Sequence, residues 1–174
     1  MTTVVTGATG HLGRLAVEAL LARGVAPGDI VATGRRTDAL NDLAARGVVV
    51  RRADYDDPAS LDAAFTGAQA LVLVSASEVG KRPAQHRHVV DAAVRAGIRH
   101  LVYTSAAHAD TSPLPVNPDH KATEELIAAS GIPATILRNN WYSENYLVDL
   151  ATARQTGELV SATGTGRVAS AARA

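Results

Sequence analysis

Thr3-Val4-Val5-Thr6 runs into Gly7-Ala8-Thr9-Gly10-His11-Leu12-Gly13, and Arg14 to Ala22 then carries small and apolar residues at helical spacing. A strand, a glycine-punctuated turn and a helix in that order leave few folds open, because the turn must lay the helix back on the strand. Gly7 supplies a backbone conformation closed to residues with a Cβ, Gly10 lets the main chain approach phosphate oxygens, and Gly13 lets the helix lie close on the sheet. The helix N-terminus offers unpaired N–H groups and a partial positive charge to an anion. With a strand before it and a helix after, the motif reads as a pyrophosphate cradle rather than a purely structural turn.

At 174 residues the chain suits one domain, 1–174, with a substantial buried core. Its 17 Lys and Arg balance its 17 Asp and Glu, so no global basic field exists to hold nucleic acid or an anionic membrane. No apolar run reaches the roughly 18 residues of a membrane span, and the first residues enter a strand without a charged leader. These features predict a soluble, cytoplasmic protein with no membrane insertion. The absence of cysteine excludes disulfides, thiolate catalysis and thiolate metal sites, and nothing else points to a metal.

Short β-branched runs alternate with alanine-rich stretches, the pattern of a parallel sheet covered on both faces. Strands are predicted over 3–6, 30–33, 48–51, 70–74, 99–104 and 134–138. Helices are predicted over 12–22, 38–45, 58–65, 85–96 and 120–129. Pro58 suits a first helical turn, and Gly24, Gly47, Gly97 and Gly131 stand where left-handed caps are wanted. The fold class is α/β, a Rossmann-type doubly wound parallel sheet whose carboxyl edge gathers the ligand-binding loops.

The end of the second strand reads Val31-Ala32-Thr33-Gly34-Arg35-Arg36, with no carboxylate to bond a ribose 2′-hydroxyl and repel a 2′-phosphate. A guanidinium meets a phosphate through two parallel charge-assisted bonds, so Arg35 points to NADPH; its bland reading is a solvated loop charge. Asp54 reads equally as an adenine acceptor or as a turn residue. Ser75-Ala76-Ser77 follows the fourth strand with side chains small enough for a dinucleotide to pass close by. After the sixth strand, Asn139-Asn140-Trp141-Tyr142-Ser143-Glu144 sets two amides beside two aromatics, a candidate wall for nicotinamide and substrate. Core filling is the competing reading for Trp141 and Tyr142.

Alcohol–ketone chemistry in short-chain dehydrogenases uses a tyrosine with a lysine four residues later. Here Tyr55, Tyr103, Tyr142 and Tyr146 are followed at that spacing by Ala59, Ala107, Tyr146 and Leu150, while Lys121 has Asn117 at the tyrosine position. No catalytic acid is assigned. His86 and His88 point in different directions on a helix and read as structural or solvent histidines; His120, at a helix start, reads as a cap or surface residue or as a substrate contact.

Gly7 to Gly13, Ser75-Ala76-Ser77-Glu78-Val79-Gly80, Tyr103-Thr104-Ser105, His108-Ala109-Asp110-Thr111-Ser112-Pro113 and Leu137 to Tyr146 together resemble the type 2 NADPH:quinone oxidoreductases, NmrA-like atypical short-chain dehydrogenases. The resemblance spans the whole chain. It implies an NADPH-dependent reductase that passes hydride to a quinone or similar flat acceptor, for which ready hydride acceptance makes a tyrosine acid dispensable. It also implies cofactor contacts from Gly7, Ala8, Thr9, Gly10, His11, Leu12, Arg35, Ser75, Ala76, Ser77 and Asn139 to Glu144, and from Ser170, Ala171, Ala172, Arg173 and Ala174. An NADP(H)-binding redox sensor without turnover is the alternative, and homo-oligomer formation is left open. Such relatives continue past the position of Ala174 into a mostly helical substrate region, so the chain is expected to lack most of it, as a shortened relative or as a fragment.

Overall fold

Alternation along the first two strands decides the layering. In the computed structural model, which describes residues 1–160 and 164–173, Val4 and Val31 face one side of a sheet while Val5, Ile30 and Ala32 face the other. That period of two puts apolar side chains into two separate cores, so helices must cover both faces. The strands are β1 (Thr3–Val5), β2 (Ile30–Gly34), β3 (Val49–Arg52), β4 (Ala70–Leu73), β5 (His100–Ala106) and β6 (Ala134–Asn139). They lie in the order β3-β2-β1-β4-β5-β6, with Val4 paired in parallel to Val31 on one side and Leu71 on the other.

The helices are α1 (His11–Ala22), α2 (Asn41–Ala45), α3 (Pro58–Phe65), α4 (Arg82–Arg95) and α5 (Asn117–Ala129), followed by α6 (Leu147–Thr156). One core gathers Val5, Val17, Ile30, Leu40 and Leu43 on the α1 and α2 side. The larger core gathers Leu61, Phe65, Val89, Leu101, Tyr103 and Ile127 on the α3, α4 and α5 side. Full burial of each such side chain contributes about 1.5–3 kcal/mol before chain entropy is subtracted. The chain leaves β1 towards β2 and β3, then returns to the far side of β1 as β4, and this reversal opens a crevice at the carboxyl ends of β1 and β4.

The six strands and five of the helices match the sequence expectation, with shifts at their ends. Gly24, Gly47, Gly97 and Gly131 all have positive φ, as their capping role requires. Helices α4 and α5 begin three residues earlier than expected, because Pro83 and Pro118 sit in their first turns as Pro58 does in α3. The expected helix over 38–45 divides into a 3-10 turn, Thr37–Leu40, and the short α2. A 3-10 turn at Ser143–Tyr146 and helix α6 were not anticipated.

The residues form two compact units, Met1–Arg138 and Asn139–Ala174. The first holds both cores and the sheet as far as Arg138. Within the second, the 3-10 turn feeds α6, which stops at Gly157 with φ +77°.

Candidate functional site

The glycine loop is shaped by backbone contact. Gly7 has φ +62°, a region that excludes most side chains, and an added Cβ at Gly13 would lie 2.3 Å from the Gly7 carbonyl oxygen. The first turn of α1 therefore sits directly on the loop. Ala8 N–H donates to the Thr33 carbonyl at 2.8 Å and Gly10 N–H to the Gly7 carbonyl at 2.9 Å, which fixes the loop between β1 and β2. No side chain caps α1 and no acidic residue occupies its first turn, so its N-terminal N–H groups and dipole suit an anion. Thr9 and Gly10 are exposed, as a phosphate cradle needs.

Arg35 stands just past the end of β2, exposed, without a hydrogen bond or ion pair among the described residues. Gly34 lets Thr9 close over the β2 end: a Cβ there would come 2.6 Å from Thr9 Cγ2. The structure thus brings Gly7 to Leu12 and the Arg35 position to one edge, while Val74, just before Ser75, packs against Gly7. A hydroxyl knot joins three strand ends beneath this edge. Tyr55 O–H donates to the Val74 carbonyl at 2.7 Å and faces Thr6 Oγ1 at 2.6 Å, and Val74 N–H donates to the same Thr6 oxygen at 3.0 Å. Burial raises the Tyr55 hydroxyl above its ordinary pKa, so it remains a phenol. The position of Tyr55 just beyond a predicted third strand is the sequence signal for this structural part.

Asp54 makes the contact of its turn reading, its Oδ1 accepting the Asp56 N–H at 3.1 Å. Ser75 and Ala76 are half-buried and Ser77 is exposed. His86 is fully buried with both ring nitrogens bonded, and His88 Nδ1 lies 2.8 Å from the Tyr55 carbonyl, so both are structural histidines. His120 is neither a cap nor a surface residue: only 6% exposed, it lies with Nδ1 2.7 Å from the Tyr103 hydroxyl. Burial and the nearby Arg82 charge lower the His86 pKa to about 3, and the same two causes lower His120 to about 4.

Asn117 is buried and donates through Nδ2 to the carbonyls of Ala107 and His108, the latter a non-glycine residue at φ +54°. The position four residues before Lys121 is thus spent on holding a strained loop, and Lys121 itself pairs with Glu125 at 3.7 Å. At the end of β6, Arg138 forks onto Glu124, with 2.7 Å from Nη2 to Oε2, and reaches Asp110 at 3.3 Å. Burial would raise the Glu124 carboxyl, but the hydrogen bonds from Arg138 and Ser105 outweigh it and hold the group below its usual range.

In the second unit, two segments far apart in sequence pair with each other. Tyr142 bridges Ala171 in parallel, Ala171 N–H donates to the Trp141 carbonyl and Ser143 N–H to the Ala171 carbonyl, each at 3.0 Å. Arg173 N–H donates to Glu144 Oε1 at 2.8 Å, and its guanidinium lies 4.4 Å from the centre of the Tyr142 ring. Trp141 is 50% exposed, against the core-filling reading. Asn140 and Ser170 are exposed, and Ala174 lies outside the described residues.

Among the described residues no cluster of side chains could hold a metal ion, and no helix is long and apolar enough to cross a membrane. The family model that matches is described as NAD(P)H-binding and covers residues 7–172. The chain is 48% identical over 170 residues to quinone oxidoreductase 2 of Escherichia coli, spanning 98% of this chain and 59% of that protein. It is 32% identical to an NmrA-like family domain-containing oxidoreductase of Aspergillus flavus, over 84% of this chain and 53% of that one. Among solved structures, the E. coli NADPH-dependent quinone oxidoreductase complexed with NADPH superposes with a TM-score of 0.92 at 47% identity, covering 99% of this chain and 60% of that one. The Citrobacter triphenylmethane reductase complexed with NADP(H) gives 0.93 at 38% identity, over 99% and 61%. The chain therefore spans about three fifths of the length of these two solved relatives.

Proposed function

Because the chain belongs to the NAD(P)H-binding family, we propose that it binds NADPH and serves a reductase that passes hydride to a quinone or similar flat acceptor. The observation that carries the reading is the carboxyl edge itself, where the uncapped α1 terminus, the tight Gly7–Gly13 contact and the exposed Arg35 stand at the ends of the neighbouring strands β1 and β2. Gly7 to Leu12 would hold the pyrophosphate, Arg35 the 2′-phosphate, and Ser75 to Ser77 the stretch of cofactor beside β4. Asn139 to Glu144 and Ser170 to Ala174 are assigned to cofactor binding on the resemblance, and the pairing of Tyr142 with Ala171 supports treating them as one part. When bound, the reduced nicotinamide supplies the hydride. Asn117 and Lys121 offer no tyrosine-type acid, which suits an acceptor whose reduced form takes its proton from water. The likeness to the E. coli quinone oxidoreductase favours turnover over a sensor that only binds. A cytoplasmic setting and a small-molecule substrate go with this reading, and 1–174 is taken as one dinucleotide-binding domain.

Fluorescence titration with NADPH tests binding, and NADPH oxidation with a simple benzoquinone tests turnover. Binding at micromolar concentration is expected. Arg35→Ala should weaken NADPH by about 1–3 kcal/mol, or roughly 5- to 150-fold, with little change for NADH. Equal losses for the two cofactors would remove Arg35 from the 2′-phosphate site.

A further inference from the structure

The loop from Ser75 to Gly80 is suspended by buried side chains that the proposed chemistry does not use. Ala76 has both peptide groups engaged: its N–H donates to His86 Nε2 at 3.0 Å, and its carbonyl accepts from Arg82 Nε at 2.7 Å. The first bond fixes the His86 tautomer. Nε2 must be bare to accept, so Nδ1 carries the proton and donates to Thr123 Oγ1 at 2.9 Å, and the Thr123 hydroxyl in turn donates to the Asp119 carbonyl at 2.8 Å. Two further backbone N–H groups are tied, Ser75 to Thr104 Oγ1 at 2.9 Å and Gly80 to Asp119 Oδ2 at 2.7 Å. The loop thus hangs from β5, α4 and α5 together.

Arg82 is an unusual choice for this duty. It is only 5% exposed, its Nη1 makes no hydrogen bond among the described residues, and Asp119 Oδ2 stands 3.9 Å away. Burying a guanidinium so loosely paired is costly, and a core needed only for stability is better served by an apolar side chain. The clamp also leaves the ligand-facing chemistry untouched: the Ser75 and Ser77 hydroxyls form no hydrogen bond among the described residues.

We propose that Arg82 and His86 are positioning residues for the dinucleotide, gripping the Ala76 peptide from both sides so that the Ser75–Ser77 stretch is held open for cofactor. The inference rests on the dinucleotide reading above and names the part of the chain that pre-organises it.

The test compares wild type with His86→Leu, His86→Gln, Arg82→Met and Arg82→Lys by NADPH fluorescence titration, amide hydrogen exchange at Ala76 and thermal unfolding. His86→Leu is expected to lose Ala76 amide protection, and both His86→Leu and Arg82→Met are expected to bind NADPH about tenfold more weakly, the value of one lost hydrogen bond. Binding of adenosine 2′,5′-bisphosphate, which carries the Arg35 recognition element, should change by less than about threefold. His86→Gln presents an amide oxygen where Nε2 stood and should restore both protection and affinity. Loss of Ala76 protection with wild-type NADPH affinity overturns the proposal, as does failure of glutamine to rescue. If the apolar variants do not fold, Arg82→Lys decides: it keeps the charge but divides one ammonium between Ala76 and Asp119, so an affinity equal to wild type counts against the clamp. A wild-type protein that binds no NADPH removes the dinucleotide reading and the proposal with it, and is distinguished by failing before any variant is compared.

Discussion

At Gly13 a single methyl group decides whether the α1 terminus can sit on the glycine loop. The Cβ would meet three backbone atoms, the Gly7 carbonyl oxygen and carbon and the Ala8 nitrogen, within 2.9 Å, and backbone cannot swing aside as a side-chain tip can. Gly13→Ala is therefore expected to destabilise the fold by about 1–3 kcal/mol and to abolish tight NADPH binding, read by thermal unfolding and by titration. Wild-type affinity in that variant would dissociate the loop geometry from the cofactor. Spacing alone exposed Gly7 and Gly13, because the turn they make is local. Gly34 was hidden: it faces Thr9, a residue 25 positions earlier, and only the β1–β2 pairing makes them neighbours.

Helix α4 shows how one element divides its work by period. Val89, Val90, Ala92 and Ala93 fill the core, while Arg82, Gln85 and His86, one to two turns earlier, are buried polar groups near the carboxyl edge. The neutral His86 and, on α5, the neutral His120 make acid stability a direct reporter of this region. Their folded pKa values, about 3 and about 4, lie below the ordinary value of 6.5, so the unfolded chain binds more protons once pH falls below that value. Stability is full above about pH 7 and should fall on acidification, each histidine adding a slope of up to about 1.4 kcal/mol per pH unit. Between pH 6.5 and 5 most carboxylates remain ionised in both states, so the slope there belongs chiefly to histidines. Urea unfolding at a series of pH values measures it; His86→Gln should remove part of that slope, and an unchanged slope would argue against a buried neutral His86. The alternation of His86 and His88 was visible in sequence. What bonded their nitrogens was not visible, since the partners Ala76, Thr123 and Tyr55 come from other elements.

On the scale of the whole molecule, both apolar cores lie within the first 138 residues, closing on Ile127 and on Ile136 packed against it. Residues 1–138 alone are therefore expected to unfold in one cooperative urea transition, followed by far-ultraviolet circular dichroism, because the buried apolar clusters of the described residues lie there. A broad, non-cooperative loss of signal would show that the remaining residues are needed to close the cores. The amino-acid sequence by itself determined the alternation of strands and helices, the glycine loop and the absence of an acid at the β2 end, since each depends on local periodicity or on one residue's conformational range. It also marked Asn139 to Glu144 as unusual, yet not that Tyr142 would pair with Ala171. The tertiary structure alone decided the hydroxyl knot of Tyr55, Thr6 and Val74, the two-sided grip on Ala76 and the burial of His120, because hydrogen bonds between distant residues exist only once the parallel register has set which strand ends meet.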